Sequence, residues 1–145
     1  LKGDVVQAVK DLKAQAGPEL QAKAADTFPR ARATTTRAIE KGLKIALGTD
    51  APAIPHGRNA KELLALVDRG MTPLQALQAA TVVAADLIDM DDLGQLAPGF
   101  HADVIAVAGD PLADIGATEQ VKFVMKAGEV FRNDSGGPPP RLGGS

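Results

Sequence analysis

A short apolar run near the middle of the chain constrains the fold more than any other feature. Residues 43–47 (LKIAL) lie between Gly42 and Gly48, directly after a helical pattern. A short, mostly apolar run between glycines is typical of a buried strand in an α/β protein. Gly48, Thr49 and Asp50 follow, so an acidic residue stands at the carboxyl end of the predicted strand, the edge that carries active sites in α/β folds. Taken alone, the tripeptide favours a turn cap over a site by about three to one.

Helical spacing of apolar residues and end signals predict helices on both sides of this strand. They cover residues 4–16, 19–25, 29–41, 59–69 and 72–88. Asn59 is the expected N-cap of the fourth helix, and Thr72 with Gln75 forms the expected capping box of the fifth. In the third helix the side chains expected to face inward are those of Ala31, Thr35, Ala38 and Ile39.

The pattern changes after residue 91 and predicts a small β region. Residues 102–108 read as a strand, and residues 121–126 and 129–131 form the two arms of a hairpin around Ala127 and Gly128. We therefore expect three regions: helices and strand over 1–90, β-strands over 91–132, and a disordered tail rich in Gly and Pro over 133–145.

Composition excludes several classes of function. The formal charge of −2 with interspersed signs offers no basic field for nucleic acid, and no apolar run is long enough to span a membrane. The absence of cysteine excludes disulfides and mildly favours a cytoplasmic location. Aromatic residues are only 3% of the chain, which predicts a small core. The start at Leu1, without an initiator Met, suggests a chain cut from a longer one, in which any leader would be missing.

Five motifs, in order, resemble the amidohydrolase superfamily. They are GTDA at 48–51 with PHG and NAKEL before and within the next helix, GMTPLQALQAAT at 70–81, GQLAPGFHADV at 94–104, GDPLADI at 109–115 and VMKAG at 124–128. Each is weak alone, and their order makes the resemblance specific. Within the superfamily the chain is most similar to the imidazolonepropionase-like branch, which includes Xaa-Pro dipeptidases and related metal-dependent carboxypeptidases.

The resemblance implies an α/β fold: the last strand and flanking helices of a (β/α)8 TIM barrel, followed by the C-terminal half of a small composite β-sandwich. It implies a divalent metal site, usually zinc and binuclear, built from a His-x-His pair, a carboxylated Lys or a Glu, two further His and one Asp on the eighth strand. Asp50 matches that Asp, which ligates a metal and carries a proton to the leaving amine. The sequence has two histidines and no His-x-His pair, so the other ligands would lie on barrel segments outside this chain.

Other polar residues have competing interpretations. His56, on the loop after Asp50, would either contact substrate or order the loop; Arg58 is first a solvated cation and second a partner for a substrate carboxylate. His101, Asp103 and Asp110 are expected at turns and strand boundaries, and Met71 and Met125 in the core or hairpin. The acidic residues at 89, 91 and 92 lack the later ligands of an EF-hand and are expected at a polar helix end.

The sequence therefore predicts the C-terminal portion of a metal-dependent hydrolase acting on an amide or peptide bond, in a dipeptide, an Xaa-Pro substrate or an N-acyl amino acid. Its partners would be that small molecule and the remaining barrel segments, with a homo-oligomer left open. One alternative is a hydrolase of a cyclic amide of the imidazolone type. A second is that the isolated chain is a non-catalytic folding or interaction module.

Overall fold

The computed structural model describes residues 17–49, 56–134 and 136, so the predicted helix at 4–16 lies outside the described residues. The order is a long helix, three short helices, one strand, a 3₁₀ helix and two further strands. No helix in the described part is long and apolar enough to cross a membrane.

The first described helix, α1, runs without interruption over Pro18–Glu40, where the sequence predicted two helices. Pro29 lies inside it and has no N–H to donate to the preceding turn. The prediction of a break was wrong because the alanine-rich turns on both sides favour helix strongly enough to tolerate one lost bond. Thr35, Ala38 and Ile39 are half-buried as expected, whereas Ala31 is exposed because the middle of α1 packs on little of the described chain.

No strand is formed over residues 43–49. A strand needs a second strand to pair with, and no strand among the described residues lies beside this segment. It is held instead at its two ends, where the amide of Leu43 donates to the carbonyl of Ala38 at 3.0 Å and the amide of Leu47 donates to the carbonyl of Ala79 at 2.8 Å. Ile45, Ala46 and Leu47 are half-buried, whereas Leu43 is exposed, so only the second part of the apolar run faces the protein interior.

Helix α2 covers Lys61–Asp68 and ends before Gly70, whose φ of 113° suits a residue without a side chain. Asn59 is not its N-cap: that position belongs to Ala60, and no side chain caps the helix. The physical reason is that the first turn begins with 3₁₀-type bonds, among them the amide of Glu62 to the carbonyl of Asn59 at 3.1 Å.

Helix α3 covers Pro73–Ala79 and has the predicted capping box. The amide of Gln75 donates to Thr72 Oγ1 at 3.2 Å, and the amide of Thr72 donates to Gln75 Oε1 at 2.8 Å. The expected continuation to residue 88 is interrupted at Thr81, where φ −126° and ψ −97° leave the helical region. Helix α4 then covers Val82–Leu87.

The interruption coincides with a close approach of the following loop. A Cβ added to Gly94 would lie 2.8 Å from the carbonyl carbon and oxygen of Thr81 and 2.9 Å from the amide nitrogen of Val82. The loop can therefore pack on this backbone only because residue 94 has no side chain.

The core is small and lies between α2, α3 and the 3₁₀ helix Ile115–Glu119, which the sequence did not predict. Among the described residues no large side chain is fully buried, in keeping with the low aromatic content. The buried core cluster comprises Leu63, Leu66, Ala76, Ala79 and Ile115. Met71 packs against this cluster, as predicted.

The β region is a three-stranded antiparallel sheet in the order β1-β2-β3. Its strands are β1 Val104–Val107, β2 Val121–Lys126 and β3 Glu129–Asn133, with Met125 half-buried in β2. The predicted hairpin is confirmed: Ala127 and Gly128 have φ of 48° and 80°, as a two-residue type I′ turn requires. Asn133 belongs to β3, so the expected tail begins too early; most of that tail lies outside the described residues.

Among the described residues, several ion pairs connect segments that are distant in sequence. Arg32 Nη2 lies 2.6 Å from Asp68 Oδ2, joining α1 to α2, and Lys44 Nζ lies 2.5 Å from Asp86 Oδ2. Lys61 Nζ lies 3.9 Å from Glu119 Oε1 and joins α2 to the 3₁₀ helix. The first two pairs are exposed, and such pairs contribute about 0–1 kcal/mol each.

Candidate functional site

The candidate site is the segment that links residue 49 to α2. Asp50, the principal predicted site residue, lies outside the described residues, as do residues 51–55. The structure describes both flanks: Thr49 on one side, and residues 56–60 with the start of α2 on the other.

The chain that leads to Asp50 is attached to the core. Leu47 packs against the buried cluster, and its amide donates to the carbonyl of Ala79 at the end of α3. Thr49 is half-buried, two residues farther on. The backbone is therefore fixed to the helical layer close to the point where Asp50 follows.

The two flanks are joined by a side-chain hydrogen bond. Asn59 Nδ2 donates to Thr49 Oγ1 at 3.3 Å. The sequence interpretation missed this contact because it assigned Asn59 to capping α2. One signal could have suggested it. A hydroxyl residue, Thr49, stands directly before Asp50, and an amide residue, Asn59, stands just before the next helix.

His56 and Arg58 lie on the α2 side of the segment, and both are exposed. The carbonyl of Arg58 accepts a hydrogen bond from the amide of Lys61 at 3.0 Å, so the backbone of Arg58 is held by the first turn of α2. Gly57 between them has a φ of 85°, a conformation that favours glycine and lets the chain turn tightly here.

The described residues do not on their own supply a metal site. Among residues 17–49, 56–134 and 136 there is no group of three or more His, Cys, Asp or Glu side chains arranged to hold an ion. A stable zinc site takes three or four protein ligands. The described side chains alone therefore do not form a complete metal centre.

The polar residues assigned to turns lie where the sequence placed them. His101 Nε2 lies 3.3 Å from Asp92 Oδ2 on the surface, and its amide donates to the carbonyl of Asp92 at 2.9 Å. Asp110 Oδ1 accepts from the amide of Leu112 at 2.9 Å and closes the turn after β1. The acidic residues at 89, 91 and 92 are all exposed.

Asp103 ties the start of β1 to the hairpin turn. Its carboxylate accepts from the amide of Ala127 at 2.7 Å and from Lys126 Nζ at 2.9 Å. The bond from the Ala127 amide, followed by the bond from Lys126, lowers the pKa of Asp103 below its ordinary value. This carboxylate has a structural role in the β region and is separate from the candidate site.

The chain combines a core of short helices, an apolar segment followed in the sequence by an acidic residue, and a small antiparallel sheet. These features can be compared with those of known protein families. The amidohydrolase family model matches residues 6–131. The chain belongs to the amidohydrolase family.

Individual relatives agree with this assignment. The chain is 43% identical over 107 residues to the ochratoxinase of Aspergillus niger, covering 70% of the chain and 22% of that protein. It is 38% identical over 98 residues to the imidazolonepropionase of Deinococcus deserti, covering 63% of the chain and 25% of that protein.

Among solved structures, a Xaa-Pro dipeptidase with methionine bound in its active site superposes with a TM-score of 0.76 and 42% identity, over 80% of this chain and 29% of that one. The resemblance to the superfamily, with imidazolonepropionase and Xaa-Pro dipeptidase among the relatives, is thereby confirmed. The chain spans between about a fifth and a third of the length of these proteins.

Proposed function

We propose that this chain is the part of a metal-dependent amidohydrolase that follows the seventh barrel strand, and that the complete enzyme hydrolyses the amide or peptide bond of a dipeptide. The observation that carries the proposal is the similarity to the Xaa-Pro dipeptidase structure, at 42% identity and a TM-score of 0.76 over 80% of the chain. Among the candidate substrates, an Xaa-Pro dipeptide is therefore favoured.

In this proposal residues 1–90 contribute the last strand and flanking helices of a (β/α)8 barrel. Residues 91–132 contribute C-terminal strands of a composite β-sandwich. The half-buried segment 45–47, which has no strand beside it among the described residues, supports the first assignment, because a barrel strand pairs with strands on both sides. The three-stranded sheet supports the second.

Asp50 is the proposed catalytic and metal-binding residue. It follows a segment that is attached to the core at Leu47, and it stands at the end of the proposed strand, where barrel enzymes carry their active sites. A divalent metal held there would make hydroxide available near neutral pH and polarise the scissile carbonyl. The carboxylate of Asp50 would contribute one ligand and accept and return a proton.

His56 and Arg58 are the proposed substrate contacts. Both side chains are exposed on the segment after Asp50, close in sequence to the proposed reacting centre. A guanidinium binds a carboxylate through paired hydrogen bonds. We assign Arg58 to the free carboxylate of a dipeptide and His56 to the substrate backbone or to the order of the segment.

A cyclic amide of the imidazolone type is the second candidate substrate. The 38% identity to an imidazolonepropionase over 98 residues favours it. The residues that distinguish ring substrates from dipeptides would lie on barrel segments outside this chain. The substrate assay must therefore include both classes.

The test is an activity assay on the complete gene product, with whatever sequence flanks this chain. Purified protein is loaded with zinc and assayed on Xaa-Pro dipeptides, other dipeptides, N-acyl amino acids and imidazolonepropionate. We expect hydrolysis of an Xaa-Pro dipeptide, its loss on chelation, and its recovery when zinc is restored. The variant Asp50→Asn should lose activity by a factor of at least about 1,000, as expected for loss of an essential catalytic group.

The matched control is Asp91→Asn, the same chemical change at an exposed carboxylate far along the chain. It should retain wild-type activity. Turnover of imidazolonepropionate alone would replace the dipeptidase assignment with the second candidate. Absence of hydrolysis on every substrate, or full activity of Asp50→Asn, would overturn the proposed function and favour a non-catalytic module.

A further inference from the structure

The contact between Thr49 and Asn59 closes the base of the segment that carries the proposed site. Asn59 Nδ2 donates to Thr49 Oγ1 at 3.3 Å across ten positions of sequence. Asp50, His56 and Arg58 all lie between the two residues. A single side-chain bond therefore joins the points where this segment leaves the apolar run and where it enters α2.

Each end of this bond belongs to a part of the chain that is itself held in place. On one side, Leu47 packs on the core and donates its amide to the carbonyl of Ala79. On the other side, the carbonyl of Asn59 accepts from the amide of Glu62 in the first turn of α2. Helix α2 then buries Leu63 and Leu66 in the core.

The amide of Asn59 is not needed to cap α2. The N-cap is Ala60, and no side chain caps this helix. Asn59 is exposed, so its side chain could equally be hydrated, yet it contacts the hydroxyl of the residue directly before Asp50. The side chain of Asn59 therefore serves the segment that begins at Thr49 rather than helix α2.

We infer that Asn59 is a positioning residue, which holds Thr49, the residue directly before Asp50, in place. The inference rests on the proposed function of Asp50. Residues that orient a metal ligand or a catalytic carboxylate act through hydrogen bonds to its surroundings, and their loss costs activity without removing the reacting group.

The test uses four variants of the complete gene product: Asn59→Ala, Thr49→Val, the double variant, and Thr49→Ser, which keeps the hydroxyl. We expect Asn59→Ala and Thr49→Val each to lower kcat about 10-fold with KM nearly unchanged, the lower end of the effect of such supporting contacts. The double variant should be no worse than either single one, because both remove the same bond. Thr49→Ser should keep wild-type kcat.

A second measurement does not depend on activity. Hydrogen exchange at residues 50–58 should be faster in Asn59→Ala and Thr49→Val than in the wild type and in Thr49→Ser. The midpoint of thermal unfolding should be unchanged in all of them, because the bond lies at the surface of the core. Gln78→Ala, which removes an exposed amide from α3, is the matched control and should change neither measurement.

Three results would overturn the inference while leaving the proposed function intact. They are wild-type kcat in Asn59→Ala when Asp50→Asn is inactive, additive losses in the double variant, and a loss in Thr49→Ser as large as that in Thr49→Val. A different result, full activity in Asp50→Asn, would remove the proposed function first and the inference with it.

Discussion

At the scale of single residues, two positions govern how separate segments meet. Gly94 allows a loop to lie against the backbone of Thr81 and Val82, and Asp103 fixes the hairpin turn to the start of β1. Neither residue is part of the candidate site. Each makes a contact that a specific substitution removes or blocks.

Replacing Gly94 with alanine should destabilise the chain. The added Cβ would stand 2.8 Å from the carbonyl of Thr81, and the φ of 81° is unfavourable for any residue with a side chain. We expect a loss of about 1–3 kcal/mol in the free energy of unfolding, the range for forced overpacking. Denaturant unfolding measures it.

Gly99→Ala is the matched control for that substitution. Its φ of 88° is equally unfavourable, but nothing lies within 4 Å of the added Cβ. It therefore carries the conformational cost without the clash. Equal losses in the two variants would contradict the close approach of Gly94 to Thr81.

Asp103 should make the stability of the hairpin depend on acid. Its pKa is lowered in the folded chain, chiefly by the bond from the Ala127 amide and then by Lys126. The folded state therefore binds this proton less readily than the unfolded state, so the stabilisation is present above the ordinary pKa and is lost as pH falls through the folded pKa. Asp103→Asn should lower the unfolding midpoint at pH 7, and the difference from wild type should shrink as pH falls below the ordinary pKa of 3.8.

The measurement is thermal unfolding of both proteins across that pH range, with Asp91→Asn as control. Asp91 is an exposed carboxylate. A difference between wild type and Asp103→Asn that stayed constant down to pH 2 would contradict the role of the ionised carboxylate.

At the scale of elements, local chemistry decided which predictions succeeded. The capping box of Thr72 and Gln75 and the turn at Ala127 and Gly128 are set by neighbouring residues, and the structure has both. The break at Thr81 could not be predicted from the helix pattern, because it coincides with contact from a loop that begins beyond residue 90. Propensity describes a segment alone, and tertiary contact overrides it.

The candidate site was predictable only in part for the same reason. The order of motifs identified the family, whereas the roles of Asp50, His56 and Arg58 stay predictions. The bond between Thr49 and Asn59 was not predicted, because the side chain of an asparagine before a helix can either cap that helix or bond to another segment. Only the folded structure shows which contact it makes. The predicted strand at 43–47 lacks a strand partner in the described chain, and a sequence window does not reveal the partner.

Helix α1 offers a test at this scale. Pro29 removes one hydrogen bond from the interior of Pro18–Glu40, and an interior proline costs about 3 kcal/mol relative to alanine. Pro29→Ala should therefore raise the protection of the amides around residue 29 against hydrogen exchange. Ala33→Pro, at another exposed position of the same helix, should lower it. Unchanged protection in Pro29→Ala would show that α1 is not continuous through residue 29.

At the scale of the whole molecule, the described chain exposes much apolar surface for its size. Ten large apolar residues are at least 39% exposed, and no large side chain among the described residues is fully buried. The most exposed are Leu87, Leu96 and Phe131. This distribution is typical of a surface that packs against further structure.

Hydrogen exchange in the apolar run 43–47 tests whether this part of the chain packs against further structure. The amides of Lys44, Ile45 and Ala46 have no hydrogen-bond partner among the described residues, whereas Leu43 and Leu47 do. In the isolated chain those three amides should exchange within the time of the first measurement. In the complete gene product, where we propose that the run pairs with other barrel strands, they should be strongly protected. Strong protection in the isolated monomer would contradict the assignment to a barrel strand.

We propose that Asp50 contributes one ligand to a metal site completed by structure outside this chain. The most direct test of this proposal is zinc content by elemental analysis, after zinc loading and extensive dialysis, of the isolated chain, the complete gene product and its Asp50→Asn variant. We expect less than about 0.1 zinc per isolated chain, since a stable site takes three or four protein ligands, together with retained zinc in the complete protein and a loss of zinc in the variant. One or two tightly held zinc ions in the isolated chain, or undiminished zinc in the variant, would contradict it.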